Sequence, residues 1–179
     1  MTIPTTPSAD PDALARAATV DGFKTAFRDH PAGVALISAS TDRGDVGLTA
    51  SSVASVAVDP PMLSFSVTRA TGSAGGLLSA GTVVVHLLAD HHLEVAKAFA
   101  KTGEPRFTPE QHWERLATGE PYLPSARAAL RCRIVQTVPA GSSMLVIAEV
   151  LEVIPPGTDA PALVYQNRNF HRLESDPLG

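Results

Sequence analysis

A run of small hydroxyl residues carries the clearest chemical signal in this sequence. Thr49-Ala50-Ser51-Ser52 ends a short extended segment, and the strongly apolar strand that follows ends at Ser66-Val67. Small side chains let a ligand lie close to the backbone, where free amides and hydroxyls can hydrogen-bond to its polar edge. A flat heteroaromatic ring with a phosphate tail would suit such a surface. An ordinary serine-rich β-bend with solvated hydroxyls is the alternative interpretation.

The loop Arg69-Ala70-Thr71-Gly72-Ser73 is a candidate phosphate site because it precedes a predicted short helix through Leu77 and Leu78. Helix N-termini attract anions through their free amides and the helix dipole. A simple helix cap uses the same residue types, so this segment alone leaves both interpretations open.

Histidines and carboxylates are concentrated between His86 and Glu94, with Asp90, His91 and His92 between them. These residue types suit a metal site. The predicted geometry is poor, however, because His86 lies on a strand whereas His91 and His92 begin a helix and point in different directions. We interpret the cluster as a mostly solvated helix start and predict no metal.

Several established catalytic signatures are missing. Gly72, Gly75 and Gly76 lack the Gly-x-Gly-x-x-Gly spacing of a Rossmann dinucleotide site. The sequence also has no Walker-type phosphate loop and no Gly-x-Ser-x-Gly nucleophile elbow. Serine hydrolysis and Rossmann-type binding therefore have no support from motifs.

The composition is that of one globular domain: 179 residues, 44% hydrophobic and 18% charged. The net charge is −4 and the basic residues are scattered, which argues against nucleic acid as a partner. Cys132 is the only cysteine, so a disulfide within the chain is excluded. No apolar run approaches the roughly 20 residues that span a bilayer, and the N-terminus lacks the basic start of a signal peptide. We therefore expect a cytoplasmic protein without a membrane partner.

The elements that would position these residues are mostly short strands. Residues 1–18 are rich in Pro, Thr, Ser and Asp, which predicts a mobile tail before one domain over 19–175. Helical spacing and capping residues predict helices over 21–29, capped by Asp21, and over 91–101 and 109–116. Period-2 patterns and β-branched runs predict strands over 34–38, 62–67, 82–88, 128–134, 145–154, 163–165 and 170–173. The fold class predicted is mainly β, a small closed or partly closed barrel with peripheral helices.

Taken in chain order, these segments resemble the short-chain flavin reductase family over roughly residues 22–173. Each motif is weak alone, and their order is specific. The motifs are Pro31-Ala32-Gly33-Val34, Gly47-Leu48-Thr49-Ala50-Ser51-Ser52, Val53-Ala54-Ser55-Val56, Asp59-Pro60-Pro61, Phe65-Ser66-Val67, Val83-Val84-Val85-His86-Leu87-Leu88, Ala98-Phe99-Ala100, Leu130-Arg131-Cys132, Glu149-Val150 and Leu163-Val164-Tyr165.

The resemblance implies an FMN-binding split barrel that forms a homodimer with flavin near the interface. It implies an NAD(P)H:flavin oxidoreductase that uses NADH or NADPH to reduce FMN or FAD and supplies reduced flavin to a partner monooxygenase. A flavin-binding carrier or sensor without turnover is the alternative. The hydride step itself requires no acid or base residue. By motif position, Thr49, Ala50, Ser51 and Ser52 would line the isoalloxazine, Ser66, Val67 and Ser73 would hold the ribityl chain and phosphate, and Phe99 and Ala100 would flank the ring.

Three positions depart from the family pattern. The family's Gly-Asp-His is Gly141-Ser142-Ser143 here, so the histidine implicated on the nicotinamide side is replaced by Ser143. A glycine usual ahead of the Glu-Val pair is Ala148, and the family's Tyr-x-Gly-Gly turn is Gln166-Asn167-Arg168-Asn169. His171 and Arg168 are the candidates to contact the nicotinamide nucleotide instead, with a polar strand end as the alternative. We expect NADH to be the donor.

Overall fold

The computed structural model describes residues 11–68 and 72–174. Within these residues, three helices, α1 (Pro11–Asp29), α2 (Ser73–Ser79) and α3 (Leu93–Ala100), and two 3-10 turns, Asp90–His92 and Pro109–Gln111, accompany the strands. The strands are β1 (Ala32–Gly33), β2 (Ala35–Thr41), β3 (Gly44–Ala50), β4 (Ala54–Val58), β5 (Pro61–Thr68), β6 (Thr82–Leu87), β7 (Glu114–Arg115), β8 (Pro121–Tyr122), β9 (Ala128–Ala140), β10 (Ser143–Ile154), β11 (Leu163–Gln166) and β12 (Asn169–Arg172).

Seven of the strands form one antiparallel sheet in the order β3-β2-β6-β9-β10-β5-β4. The two outer strands, β3 and β4, follow each other in the chain and are joined by residues 51–53 alone. The Ser66 N–H donates a hydrogen bond to Ser52 Oγ at 2.9 Å, and the Ser52 hydroxyl donates to the Ser66 carbonyl at 3.3 Å. The short connection therefore brings the two edges together. The predicted mainly β class, with a barrel-like sheet and peripheral helices, is confirmed.

The interior of the curled sheet is filled by side chains that alternate along its strands, as the period-2 patterns predict. Cys132 is fully buried among them, and burial raises the pKa of its thiol to about 12. It is a small buried hydrophobe, as the sequence predicts. The fully or nearly fully buried members of this core include Ile37, Phe65, Val67, Val83, Val85 and Val146.

A second apolar cluster lies on the outer side of β2, where α3 and the three-stranded sheet β1-β11-β12 cover it. The Val34 N–H donates to the Leu163 carbonyl at 2.9 Å, and the Leu163 N–H donates to the Leu88 carbonyl at 3.0 Å. These bonds fasten the small sheet against the large one, so that Tyr165 and Phe170 lie beside the end of α3. Buried members are Val34, Leu36, Leu88, Ala96, Phe99, Leu123 and Leu163.

The buried carboxylate of Glu120 fastens the β7–β8 hairpin to the large sheet. It accepts hydrogen bonds from Thr82 Oγ1 at 2.5 Å, from Arg131 Nε at 2.8 Å and from Thr118 Oγ1. Burial acts to raise the pKa of Glu120, but the hydrogen bonds favour the charged form more strongly and lower that pKa to about 2. The carboxylate is therefore charged and satisfied at neutral pH.

The start of the first helix differs from the prediction. α1 begins at Pro11, and Asp21 lies inside it with its carboxylate 3.5 Å from Lys24 Nζ, so Asp21 is not a cap. Residues 11–18, predicted as part of a mobile tail, belong to α1, while residues 1–10 lie outside the described residues. The alanine-rich stretch after Pro11 favours helix, and the averaged composition of 1–18 concealed it.

Two further boundaries differ. The helix predicted over 109–116 is a 3-10 turn of three residues, because His112 adopts a left-handed φ of 56° and the chain enters β7. The strand predicted over 128–134 is longer in the structure: β9 continues through Pro139 to Ala140, and the chain turns at Gly141 with φ 60°. None of the helices among residues 11–68 and 72–174 has both the length and the apolarity to cross a membrane.

Candidate functional site

A cleft runs past the hydroxyl residues at the end of β3. Its central cavity, of about 200 Å³, is lined by Val34, Thr49, Ser51, Ala100, Tyr165 and Phe170. We call the space of about 630 Å³ on one side the Arg106 cavity, since Arg106, Ser73, Phe99 and Ala100 line it. We call the space of about 790 Å³ on the other side the α1 cavity, since Arg28 of α1 lines it together with Ser51, Ser52, Ser66, Tyr165 and Arg168.

These three spaces are neighbours, because some residues line two of them. Ala100 lines both the central cavity and the Arg106 cavity. Ser51 and Tyr165 line both the central cavity and the α1 cavity. The structure therefore brings most of the predicted flavin-site residues onto one cleft, from Ser73 at one end to Ser66 at the other.

The predicted hydroxyl residues do different things. Thr49 Oγ1 donates to the Ala96 carbonyl at 2.7 Å and fastens β3 to α3, and Ser52 is occupied with the backbone of Ser66. Within the described part of the chain the Ser51 hydroxyl has no hydrogen-bond partner, and it faces two of the cavities. Ser51 is therefore the hydroxyl of this cluster that is free for a ligand.

Two predicted residues can offer a ligand only their backbone. Ala50 is 7% exposed and Val67 is 2% exposed, and both side chains pack in the core of the curled sheet. Burial of these side chains still leaves the backbone of both residues open to a ligand, Ala50 at the ring and Val67 at the ribityl chain and phosphate, as the resemblance implies.

Phe99 forms a wall of the Arg106 cavity and is held tightly. A Cβ atom at Gly47 would lie 2.7 Å from Phe99 Cε1, so the ring packs directly on the backbone of β3. Phe107 meets the ring edge-on with centroids 5.0 Å apart, and Trp113 lies 5.5 Å from it. The ring is thus fixed from three sides, and only 2% of the residue is exposed.

Arg106 is the functional candidate that sequence reasoning missed. Its Nη1 donates to Ser73 Oγ at 2.8 Å and to the Gly47 carbonyl at 3.0 Å, and its Nη2 donates to the Lys101 carbonyl at 2.8 Å. Burial lowers the pKa of Arg106 from its usual value, but an arginine stays protonated at neutral pH. A fixed cation therefore stands beside Ser73, where an anion would be stabilised. The Glu104 carboxylate on the same cavity is paired with Lys101.

The sequence offers no local signal for Arg106. It follows a Gly-Glu-Pro stretch without helical or strand periodicity, and its partner Gly47 is 59 positions away. Arg69, Ala70 and Thr71, the predicted start of the phosphate loop, lie outside the described residues.

The buried histidines serve the fold. The Leu123 N–H donates to His86 Nε2 at 3.1 Å, so His86 carries its proton on Nδ1 and donates it to the Leu36 carbonyl at 3.0 Å. Burial lowers the pKa of His86 to about 4, so the ring is neutral at pH 7. His92 is also buried, and the expectation that it is solvated is wrong: its Nδ1 accepts from the Ala89 N–H at 3.0 Å, and its Nε2 donates to Ser125 at 2.9 Å.

Burial, followed by the nearby charge of His91, lowers the pKa of His92 to about 4. Among residues 11–68 and 72–174, no group of three or more His, Cys, Asp or Glu side chains is arranged to hold a metal ion.

The three predicted nicotinamide contacts lie in different places. Arg168 lines the α1 cavity. Ser143 is paired with Thr68, their hydroxyls 3.4 Å apart, and His171 Nε2 lies 3.2 Å from the Gln166 carbonyl. Neither Ser143 nor His171 lines any of the three cavities described above, so Arg168 alone of the three is on the cleft.

Comparison with known proteins places this arrangement in context. A model of the flavin reductase-like domain family matches residues 27–174. The chain is 36% identical over 160 residues to an NADH:FMN oxidoreductase of Rhodococcus erythropolis, covering 88% of this chain and 82% of the relative. The crystal structure of a flavin reductase domain protein from Arthrobacter sp. FB24 superposes with a TM-score of 0.81 at 30% identity, covering 89% of this chain and 98% of that one.

The styrene monooxygenase flavin reductase of Pseudomonas putida S12 superposes with a TM-score of 0.75 at 27% identity, covering 88% of this chain and 99% of that one.

Proposed function

The chain belongs to the flavin reductase-like domain family, and we propose that it is an oxidoreductase that reduces FMN or FAD with a nicotinamide nucleotide. The reduced flavin would then serve a partner monooxygenase, a role suggested by the Pseudomonas putida relative, which is named a styrene monooxygenase flavin reductase. The row of adjacent cavities beside Ser51, with a fixed cation at one end, is the observation that carries the proposal.

The residues present fit a flavin. Arg106 and Ser73 would hold the phosphate. Arg106 keeps one Nη2 N–H free of its bonds to Ser73 and to three backbone carbonyls, and Ser73 keeps its hydroxyl proton, so each has a donor for phosphate oxygens. The central cavity, between Thr49 and Ala100, has small side chains along one wall and would take the flat ring. Ser51 would supply a hydroxyl to the polar edge of that ring.

The flavin supplies the hydride-accepting chemistry when it is bound. The chain's own contribution is positioning, because holding donor and acceptor together makes the transfer effectively unimolecular. Phe99, fixed by Gly47 and Trp113, keeps the shape of the wall next to Arg106. The hydrogen bond from Thr49 to α3 fixes the distance between β3 and α3, and so the width of the cleft.

A homodimer is part of the proposal. α1 exposes Leu14 and Val20 by 58% and 42%, and β10 exposes Val153 by 62%. No described side chain of α1 is buried, and a helix of 19 residues in water owes most of its stability to packing. A second copy covering these faces would supply that packing. Light scattering should give twice the 18.7 kDa chain mass.

The substitution Val20→Glu should weaken the dimer, because the second copy would cover Val20. The neighbouring substitution Thr19→Glu adds the same charge and should weaken the dimer less. A monomer with flavin bound at micromolar protein concentration would contradict this part of the proposal.

A cytoplasmic location is also proposed. The free, buried thiol of Cys132 is compatible with a reducing compartment, and nicotinamide nucleotides are available there. Fractionation of cells that produce the untagged chain tests it, and recovery in an extracellular or membrane fraction would refute it.

The test of the function is an anaerobic titration. Protein with one equivalent of FMN should lose the visible flavin absorbance when NADH is added, and excess FMN should be reduced over many turnovers. The same titration with FAD ranks the two flavins. Quenched flavin fluorescence without reduction by NADH or NADPH would identify a carrier or sensor and refute the reductase.

A further inference from the structure

The α1 cavity is rich in positive charge. Lys24 and Arg28 line it from α1, and Arg168 lines it from the turn between β11 and β12. No aspartate or glutamate is among the described residues that line it. Its volume of about 790 Å³ falls within the range of small-molecule sites, roughly 300 to 1,000 Å³.

Two of these cations have no partner in the described part of the chain. Lys24 is paired with Asp21 at 3.5 Å. The guanidinium groups of Arg28 and Arg168, by contrast, make no hydrogen bond or ion pair with any residue of 11–68 or 72–174. A pair of free guanidiniums on one cavity without a carboxylate is an arrangement that attracts an anion.

The backbone holds these two arginines on the same cavity. The Asn167 N–H donates to the Arg28 carbonyl at 2.8 Å, and Gln166 Nε2 donates to the Asp29 carbonyl at 2.7 Å. The β11–β12 turn is therefore fastened to the last turn of α1. The position of Arg168 relative to Arg28 is set by these two hydrogen bonds, one between main-chain groups and one from the Gln166 side chain, and does not depend on an ion pair between side chains.

The turn itself accepts strain to present Arg168. Asn167 and Arg168 have φ of 51° and 62°, the left-handed region in which glycine is favoured and arginine is uncommon. An arginine in this conformation costs of order 1 kcal/mol or more, which a glycine would avoid.

We propose that the α1 cavity binds the phosphate groups of the nicotinamide dinucleotide, with Arg28 and Arg168 as the anion-contacting residues. The proposal rests on the proposed reductase function, because it names the donor's phosphate subsite in that cleft. Ser51 and Tyr165 border both this cavity and the central one, so a dinucleotide with its phosphates here can extend its nicotinamide towards the flavin ring. The flavin phosphate would occupy the opposite end, at Arg106.

The variant that tests the proposal is Arg28→Gln/Arg168→Asn. Glutamine keeps helix propensity at Arg28, and asparagine tolerates the left-handed conformation at position 168. The matched control is Arg16→Gln, which removes a charge from the same helix at a residue that does not line the cavity. Steady-state turnover with NADH is measured together with titration of the flavin-loaded protein by ADP-ribose, which carries the phosphates without nicotinamide.

We expect the double variant to raise the KM for NADH and the dissociation constant of ADP-ribose each by about 10-fold or more, the usual scale for losing two charge-assisted contacts. The kcat and the flavin dissociation constant should stay unchanged, because this binding is equal in ground and transition states. Salt should weaken ADP-ribose binding to the native protein more than to the variant.

Unchanged KM and ADP-ribose affinity in the double variant would overturn the proposal, as would an equal loss in Arg16→Gln. A change in dimerisation with unaltered ADP-ribose binding would show that a second copy occupies the cavity, which also overturns it. If the native protein binds flavin but never oxidises NADH, the proposed function fails. The ADP-ribose titration still decides the phosphate site in that case.

Discussion

Arg106 should contribute to flavin affinity only through the phosphate, and Arg106→Gln tests this. The guanidinium is held by the carbonyls of Gly47 and Lys101 and by Ser73 Oγ, at 2.8 to 3.0 Å, so it stands in one position before any ligand arrives. A charge-assisted hydrogen bond of this kind is worth about 1.5 to 3 kcal/mol. The dissociation constant of FMN should therefore rise about 10- to 150-fold.

The assay compares FMN with riboflavin, which lacks the phosphate, by quenching of flavin fluorescence in native protein and variant. The amide of the substituted glutamine retains some hydrogen-bonding capacity, so the loops that Arg106 joins should hold. The riboflavin affinity should then stay within about two- to threefold, the size of ordinary uncoupled effects. The difference between the two flavins is the coupling between side chain and phosphate. An equal loss for FMN and riboflavin would refute the phosphate role and leave Arg106 as a structural clamp on Phe99.

Three other outcomes are expected. Ser51→Leu should abolish flavin quenching, since a bulky side chain would fill the border between two cavities, and Ser40→Leu on β2 should not; intact quenching in Ser51→Leu removes this site. Glu120→Gln should lower the free energy of unfolding at pH 7 by about 3 kcal/mol, because the pKa of Glu120 falls from 4.5 to about 2 on folding. That contribution is complete above pH 4.5 and is lost as the pH falls towards 2. The free energies of unfolding of native protein and variant, measured in urea, should therefore converge in acid. A difference between them that stays constant with pH would contradict the reasoning. NADH should be used at least as well as NADPH, and a tenfold preference for NADPH that disappears in Arg168→Asn would show the reverse.

The parts of the fold with a local pattern were predictable. The strands β5, β6 and β10 follow from apolar or β-branched runs, and the hydroxyl segment was located on the end of a strand by its composition. The predicted first helix begins ten residues after the observed one. The average composition of residues 1–18 indicates a tail, although the alanine-rich segment after Pro11 favours a helix. Helix propensity is informative when summed over a window that matches the element.

The parts that depend on distant contacts were not predictable. The helix expected over 109–116 fails because Trp113 packs 5.5 Å from Phe99, which requires the chain to leave the helical path at His112. His92 is buried because Ser125 and the Ala89 amide satisfy both ring nitrogens. The position of Arg106 also depends on distant contacts, because its guanidinium is held by Gly47 and Ser73. The residues beside it in the chain do not indicate these partners.

The distribution of contacts in the cleft suits a flavin that must leave after reduction. The hydroxyls of Thr49 and Ser52 are hydrogen-bonded to backbone groups of Ala96 and Ser66. These two side chains therefore shape the cleft and do not bind the flavin. Among residues 11–68 and 72–174, the polar groups left for the ligand include the Ser51 and Ser73 hydroxyls, backbone groups and the fixed cation at Arg106. A permanently held cofactor would be served better by more side-chain contacts, because each one slows dissociation. A protein that hands reduced flavin to another enzyme needs the opposite balance: a cleft rigid enough to align the donor, with few enough contacts to release the product.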